Sequence, residues 1–136
     1  MSATGTITVP ISVTSVSKTS TIFIDVDTYA ALYQQVTVTG PNGTKIINAA
    51  VGNGENSRIA SGQYSVSAVG IYNFTVQIAH GSSKTGPWTA SQIYTPVSSN
   101  TVAPTLLQYT VASEDQSDND YNDALVSFRL FSALSA

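Results

Sequence analysis

Residues 106–131 read LLQYTVASEDQSDNDYNDALVSFRLF. Apolar and polar residues alternate at both ends of this stretch, over residues 106–112 and again over residues 125–131. Such alternation is typical of a β-strand that buries one face. A strongly acidic segment lies between the two alternating runs. The stretch therefore predicts two strands connected by an acidic loop.

The same alternation recurs through the rest of the chain. Gly40-Pro41-Asn42-Gly43 separates two alternating runs and predicts the turn of a hairpin. Residues 52–57 are predicted to form an exposed loop. Residues 29–35 could form one turn of helix, but the β-branched and aromatic residues around them argue against it. The predicted strands are residues 7–13, 21–26, 36–39, 44–47, 63–68, 72–78, 88–97, 106–112 and 125–131. This series predicts an all-β fold, an antiparallel β-sandwich of about nine short strands.

Length and composition limit the function classes. A chain of 136 residues with no cysteine predicts one domain over residues 1–136, without disulfides or thiolate metal sites. The net charge of -3 and the lack of a basic patch disfavour nucleic acid. No apolar run approaches the roughly 18–20 residues of a membrane span. Residues 1–6 have no signal-peptide features, yet an extracellular or cell-surface location is favoured.

The acidic segment, residues 114–123, has the chemistry of a calcium site. It holds five of the eight Asp and Glu residues of the chain and no Lys or Arg. Calcium takes roughly 6–8 hard oxygen ligands. The predicted ligands are Glu114, Asp118, Asp120, Asn122 and Asp123. The four carboxylates among them nearly balance the charge of two Ca²⁺ ions, so charge favours a site for two ions over a site for one.

Two other interpretations of this segment are weaker. An EF-hand would need Gly where Asp123 stands, Glu where Arg129 stands, and helices on both sides. A solvated surface loop is the usual role of a charge run. Such a loop has no need of carboxylates at every second position between two strongly apolar strands.

The motif that runs from Ser113 to Ala124, SEDQSDNDYNDA, resembles the signature of the LecB-type (PA-IIL-like) bacterial lectins. These are small β-sandwich proteins that bind fucose and mannose through two adjacent calcium ions. The resemblance implies that the five predicted ligands hold calcium here and that Asp115 contacts the sugar. It also implies that sugar hydroxyls complete the coordination of the ions, and that the ligand is a monosaccharide or glycan of the fucose or mannose type.

The chain departs from the family pattern in three places, one of which is a longer middle of the chain, notably at residues 82–87 and 98–104. An early family loop with an Asn ligand is best matched by Lys18, followed by Thr19 and Ser20, and these three residues are expected to lie at the sugar. The family's C-terminal carboxylate, which completes a neighbouring subunit's site, would fall near Ala133, and this chain runs on through Ala136. A homo-oligomer, a dimer or larger, is expected, stabilised by the apolar strand at residues 125–131.

The sequence thus predicts a calcium-dependent lectin without enzymatic activity. The alternative is a structural or adhesive module in which calcium only makes the acidic loop rigid. Asp25 and Asp27 have the spacing of a carboxylate pair on one strand face, but no partner supports glycosidase chemistry. His80, the single histidine, is expected to be a surface or turn residue rather than a base.

Overall fold

The computed structural model describes residues 2–14, 20–95, 97–103, 106–114 and 123–131. Ten strands make up most of these residues, and every strand pair is antiparallel. In chain order they are β1 (Ser2–Thr4), β2 (Thr6–Val13), β3 (Ser20–Thr39), β4 (Lys45–Val66), β5 (Gly70–Gly81), β6 (Thr89–Ala90), β7 (Gln92–Tyr94), β8 (Ser98–Ala103), β9 (Leu106–Glu114) and β10 (Ala124–Phe131). The predicted all-β antiparallel class is confirmed.

Helices are absent from the described ranges. The described residues accordingly include no helix long and apolar enough to cross a membrane.

The long strand β3 connects the two layers of the fold, one of which contains β9 and β10 and the other β5 and β2. Residues 21–28 of β3 pair with β10, while residues 33–39 of β3 pair with β5. The main path of the sheet runs β1-β7-β9-β10-β3-β5-β2, with β4 on β3, β6 on β5 and β8 on β9. Since β3 belongs to both parts of this path, β10 and β9 can face β5 and β2 across a common core.

The bend in β3 and β4 has an identifiable cause. Their register shifts at three places between Val26 and Gln34 of β3. On β4, the facing residues include Gly54 with a φ of 110° and Asn56 with a φ of 50°. Bulges of this kind bend a strand without ending it. The sequence predicted a loop at residues 52–57 and separate short strands at residues 21–26 and 36–39, and the structure has continuous bent strands instead.

The predicted hairpin between β3 and β4 is confirmed. The N–H of Gly40 donates to the carbonyl of Thr44 at 2.8 Å, and the N–H of Gly43 donates to the carbonyl of Gly40 at 3.0 Å. The Asn42 side chain accepts from the N–H of Thr44 at 3.1 Å. Gly43 has a φ of 84°, in the left-handed region that glycine adopts without steric cost.

The core lies between the two layers, and aromatic rings link its halves. Phe74 on β5 is fully buried and lies 5.3 Å from Phe128 on β10, measured between ring centroids. The Tyr64 ring meets Phe74 edge-on at 5.4 Å. Aliphatic side chains surround these rings: Val9, Ile11, Ile22, Ile24, Val26, Val36, Val38, Val76, Ile78, Val111, Val126 and Leu130. Removing Phe74 would therefore open a cavity between the layers.

We predict that Phe74→Ala lowers the free energy of unfolding by about 3–5 kcal/mol, because the lost ring leaves a cavity. Ile71→Ala is the matched control, since Ile71 lies on the same strand with 67% of its surface exposed. It should change stability by less than about 0.5 kcal/mol. Urea unfolding followed by fluorescence measures both values. Similar losses in the two variants would contradict the assigned core.

Candidate functional site

The two ends of the acidic segment are held side by side. β9 ends at Glu114, β10 begins at Ala124, and the last paired residues are Ser113 and Ala124. Beyond that pair, the N–H of Asp123 donates to the carbonyl of Ser113 at 3.1 Å. Glu114 and Asp123 thus adjoin the same end of the ladder.

The Ser113 side chain connects β9 and β10 at this point through two hydrogen bonds. Its hydroxyl donates to the carbonyl of Ala124 at 3.1 Å and accepts from the N–H of Ala124 at 3.2 Å. Ser113 and Ala124 are fully buried. A buried hydroxyl with both a donor and an acceptor partner is satisfied, and each such bond contributes about 0.5–1.5 kcal/mol to stability. The hydroxyl therefore fixes the positions from which the loop starts and ends.

Both described carboxylate residues of the segment are buried: Glu114 is 1% exposed and Asp123 is 7% exposed. Burial of a carboxylate is costly unless cations or hydrogen bonds compensate for it. A hard cation such as Ca²⁺ fits two carboxylates at adjoining strand ends. The oxygen-rich donor set of the segment is the chemistry that such an ion requires.

The remaining predicted ligands, Asp118, Asp120 and Asn122, lie outside the described residues, as does Asp115. Among the residues that the structure does describe, no group of three or more His, Cys, Asp or Glu side chains is arranged to hold a metal. The full ligand set therefore remains a prediction from the sequence.

The structure places Ser20 far from Asp123, the described C-terminal end of the acidic segment. Ser20 begins β3 beside Thr21, which pairs with Phe131, whereas Thr28 pairs with Ala124 at the other end of β10. At about 3.3 Å per residue, Ser20 is roughly 25 Å along the strand from Thr28. Lys18 and Thr19 lie outside the described residues.

A different part of β3 lies against the segment. The N–H of Tyr29 donates to the carbonyl of Asp123 at 3.1 Å. Asp27, Thr28 and Tyr29, together with Asn56 of β4 and Leu125 of β10, line a cavity of about 310 Å³. This contact was not predicted, because it arises from the pairing of β3 with β10, which are far apart in the chain.

An ion-pair network on the outer face of the sheet orders Asp27. Arg58 donates to the Asp27 carboxylate through Nε at 2.6 Å and through Nη2 at 3.2 Å. This hydrogen bonding raises the pKa of Arg58, and the charges of Asp25 and Asp27 raise that pKa further, against a lowering by partial burial. Asp25, in turn, pairs with Arg129 at 2.9 Å and with Arg58 at 3.3 Å. The two aspartates are thus engaged with arginines, which is a structural role.

His80 also has a structural environment. It is half-buried on β5, and its Nδ1 lies 2.9 Å from the hydroxyl of the fully buried Ser91. The sequence predicted a surface or turn residue rather than a base, and the structure places His80 within a strand, with part of its surface exposed.

Comparison with known proteins identifies the family. The family model for fucose-binding lectin II (PA-IIL) matches residues 13–132. The chain therefore belongs to the fucose-binding lectin II family. No curated protein sequence gives a significant match.

Solved structures of bacterial lectins share the fold. The Chromobacterium violaceum lectin CV2L, in complex with alpha-methyl-fucoside, superposes with a TM-score of 0.63 at 23% identity, over 93% of this chain and 96% of that one. The Ralstonia solanacearum high-affinity mannose-binding lectin gives 0.59 at 21% identity, over 92% and 94%. The C-terminal domain of the BC2L-C lectin from Burkholderia cenocepacia gives 0.58 at 17% identity, over 95% and 97%.

Family membership confirms the predicted function class. The protein is a carbohydrate-binding lectin and not an enzyme. Lectins of this family are known to bind calcium, in agreement with the chemistry of the acidic segment.

We predict that Ser113→Ala destabilises the protein by about 1–3 kcal/mol, because the variant removes a buried hydroxyl with two hydrogen bonds. Ser127→Ala is the matched control, since Ser127 lies on β10 and lines an open polar pocket on the outer face. Urea unfolding in the presence of chelator should show the loss for Ser113→Ala and a change below about 0.5 kcal/mol for Ser127→Ala. Equal unfolding midpoints for the two variants would show that the Ser113 hydroxyl contributes nothing to stability.

Proposed function

We propose that this lectin binds a monosaccharide with vicinal hydroxyls, of fucose or mannose configuration, at a calcium site formed by residues 114–123. One observation carries the proposal. Two buried carboxylate residues, Glu114 and Asp123, lie at adjoining strand ends, which the Ser113 side chain connects through hydrogen bonds. Residues 115–122 then close a loop whose sequence supplies the other oxygen donors.

The proposed ligand set is Glu114, Asp118, Asp120, Asn122 and Asp123. Its four carboxylates suit two Ca²⁺ ions, because a single ion would leave the loop with excess negative charge. When bound, calcium supplies open coordination positions to two neighbouring sugar hydroxyls. The ring of a pyranose fixes the spacing of those hydroxyls, so that little conformational entropy is lost on binding.

The chain itself orients the sugar. Asp115 follows Glu114 directly and is proposed to accept hydrogen bonds from a sugar hydroxyl. Charge-assisted bonds of this kind are stronger than neutral ones. The choice of sugar draws support from two proteins of the same fold, one in complex with a fucoside and one described as binding mannose.

The rival proposal is that calcium only makes the loop rigid. Both proposals require metal binding, and they differ in whether a sugar adds to it. A lectin binds a monosaccharide only while calcium is present, whereas a structural module binds calcium with no effect of any sugar.

We predict that calcium stabilises the protein and that sugar binding requires it. Calcium at 100 times its Kd should add about 2.7 kcal/mol to the free energy of unfolding. Isothermal titration calorimetry with fucose, mannose, galactose and N-acetylglucosamine should give heat for fucose or mannose, and excess EDTA should abolish it. Calcium-saturated protein that binds no sugar would favour the structural module.

Glu114→Gln tests the ligand set, because it removes a charge with little change in shape. It should weaken calcium binding by at least about tenfold, since calcium affinity depends on the number of charged ligands. Glu55→Gln is the control, because Glu55 is an exposed carboxylate residue on β4. Equal calcium affinities for the two variants would contradict the proposed role of Glu114.

The assembly state is a further part of the proposal. A homo-oligomer, a dimer or larger, would present several weak sites together and so gain avidity. The structure restricts how β10 can take part, because both of its edges are already paired, with β3 and with β9. Its buried face supplies Val126 and Phe128 to the core. Within the part of the chain that the structure describes, β10 therefore presents its outer face to another subunit.

We predict at least a dimer in solution. Phe23 lies on this outer face, with Arg129 6.0 Å from its ring centroid. Light scattering should give a multiple of the 14.2 kDa chain mass, and Phe23→Arg should lower it. Ile71→Arg places the same charge on an exposed position of β5 and is the control. A monomer at working concentration would refute the assembly.

A further inference from the structure

A cavity of about 310 Å³ lies beside the C-terminal end of the acidic segment. Asp27, Thr28, Tyr29, Asn56 and Leu125 line it. Small-molecule pockets occupy roughly 300–1,000 Å³ and combine an apolar surface with a few polar groups. The cavity has both features, because its lining includes one aromatic and one aliphatic residue beside a carboxylate and an amide.

The backbone that carries the aromatic residue of the cavity is held by two hydrogen bonds. The Tyr29 N–H donates to the carbonyl of Asp123 at 3.1 Å. The hydroxyl of the adjacent residue, Thr28, donates to the carbonyl of Gly54 at 3.1 Å, and Thr28 is 2% exposed. Tyr29 itself is 42% exposed. A rigid backbone therefore presents an accessible tyrosine directly beside the acidic segment.

The polar wall is also ordered. Two hydrogen bonds from Arg58 hold the carboxylate of Asp27. Asn56 has a φ of 50°, in the left-handed region that Asn tolerates better than most residues. Its amide offers both donors and an acceptor. Carboxylate and amide groups of this kind suit hydroxyl groups, while the face of a tyrosine ring suits the C–H face of a pyranose.

We propose that this cavity is a subsite for a second sugar, linked to the sugar at the calcium site. The inference rests on the proposed function, since it takes the acidic segment to bind the first sugar. The hydrogen bond from the Tyr29 N–H to the carbonyl of Asp123 makes the cavity a neighbour of the C-terminal end of the acidic segment. The physiological ligand is then an oligosaccharide, and Tyr29 and Asn56 determine which one binds.

Calorimetry on calcium-saturated protein tests the subsite. The probes are methyl α-mannoside against the α-linked mannobioses, and methyl α-fucoside against fucosylated lactose. The wild-type protein should bind at least one of these oligosaccharides about tenfold more tightly than the corresponding methyl glycoside, which is the gain expected from about 1.4 kcal/mol of stacking and hydrogen bonding.

Three variants separate the contributions. Tyr29→Ala should remove the gain, with the affinities for methyl glycoside and calcium unchanged. Tyr29→Phe keeps the ring and should retain most of the gain. Asn56→Gly removes the amide in a residue that accepts the left-handed backbone, and it should lower the oligosaccharide affinity about fivefold. Ile71→Ala, a truncation elsewhere on the surface, should change neither affinity.

Two results would overturn the subsite alone. One is equal affinity of the wild-type protein for every oligosaccharide and its methyl glycoside. The other is a lower mass by light scattering for Tyr29→Ala, which would assign the cavity to contact with a second copy of the chain. Failure of calcium-saturated protein to bind either methyl glycoside would instead overturn the proposed function, and the subsite with it.

Discussion

The pairing of Ser113 with Ala124 is the constraint on which the site depends. Neighbouring carboxylates repel each other, and loop closure costs entropy, so an acidic loop needs fixed ends. The strand ladder supplies those ends, and the buried Ser113 hydroxyl bonds to both the N–H and the carbonyl of Ala124. The apolar residues of β9 and β10 then serve function indirectly, because they bury the base of a loop that is itself polar.

The bent strands β3 and β4 supply the second constraint. The pairing of β3 with β10 runs in unbroken register through Thr28, and this brings Tyr29 to Asp123. The register shifts with β4 between Val26 and Gln34 bring Asn56 of β4 alongside residues 27–29. The same bend lets β3 pair with β10 at one end and with β5 at the other. The bent part of β3 therefore joins the two layers of the core and lies beside the site.

Local signals in the sequence were sufficient for part of this structure. Gly40 to Gly43 encode their own turn, and the alternation at residues 125–131 matches the buried pattern of β10, because both depend on near neighbours in the chain. The length of β3 and β4 was not predictable in this way. Gly52 and Gly54 are residues typical of turns, yet both pair with β3 and lie within a strand.

The candidate site was likewise predictable from the sequence only in part. Glu114 and Asp123 were predicted from charge and motif, and the structure places both at one end of the β9 and β10 ladder. Ser20 was assigned by matching a short segment, and the register of β3 places it at the far end of the strand. Tyr29 was missed because its proximity to Asp123 arises from strand pairing between residues almost a hundred positions apart, for which a single sequence carries no local signal.

A crystal structure of the protein grown with Ca²⁺ and methyl α-fucoside is the most direct test of the account. The account predicts calcium bound by Glu114 and Asp123 together with donors from residues 115–122, and two sugar hydroxyls within bonding distance of the metal. Calcium at the segment with the sugar absent or bound elsewhere would contradict the account, as would a segment that binds no calcium at all.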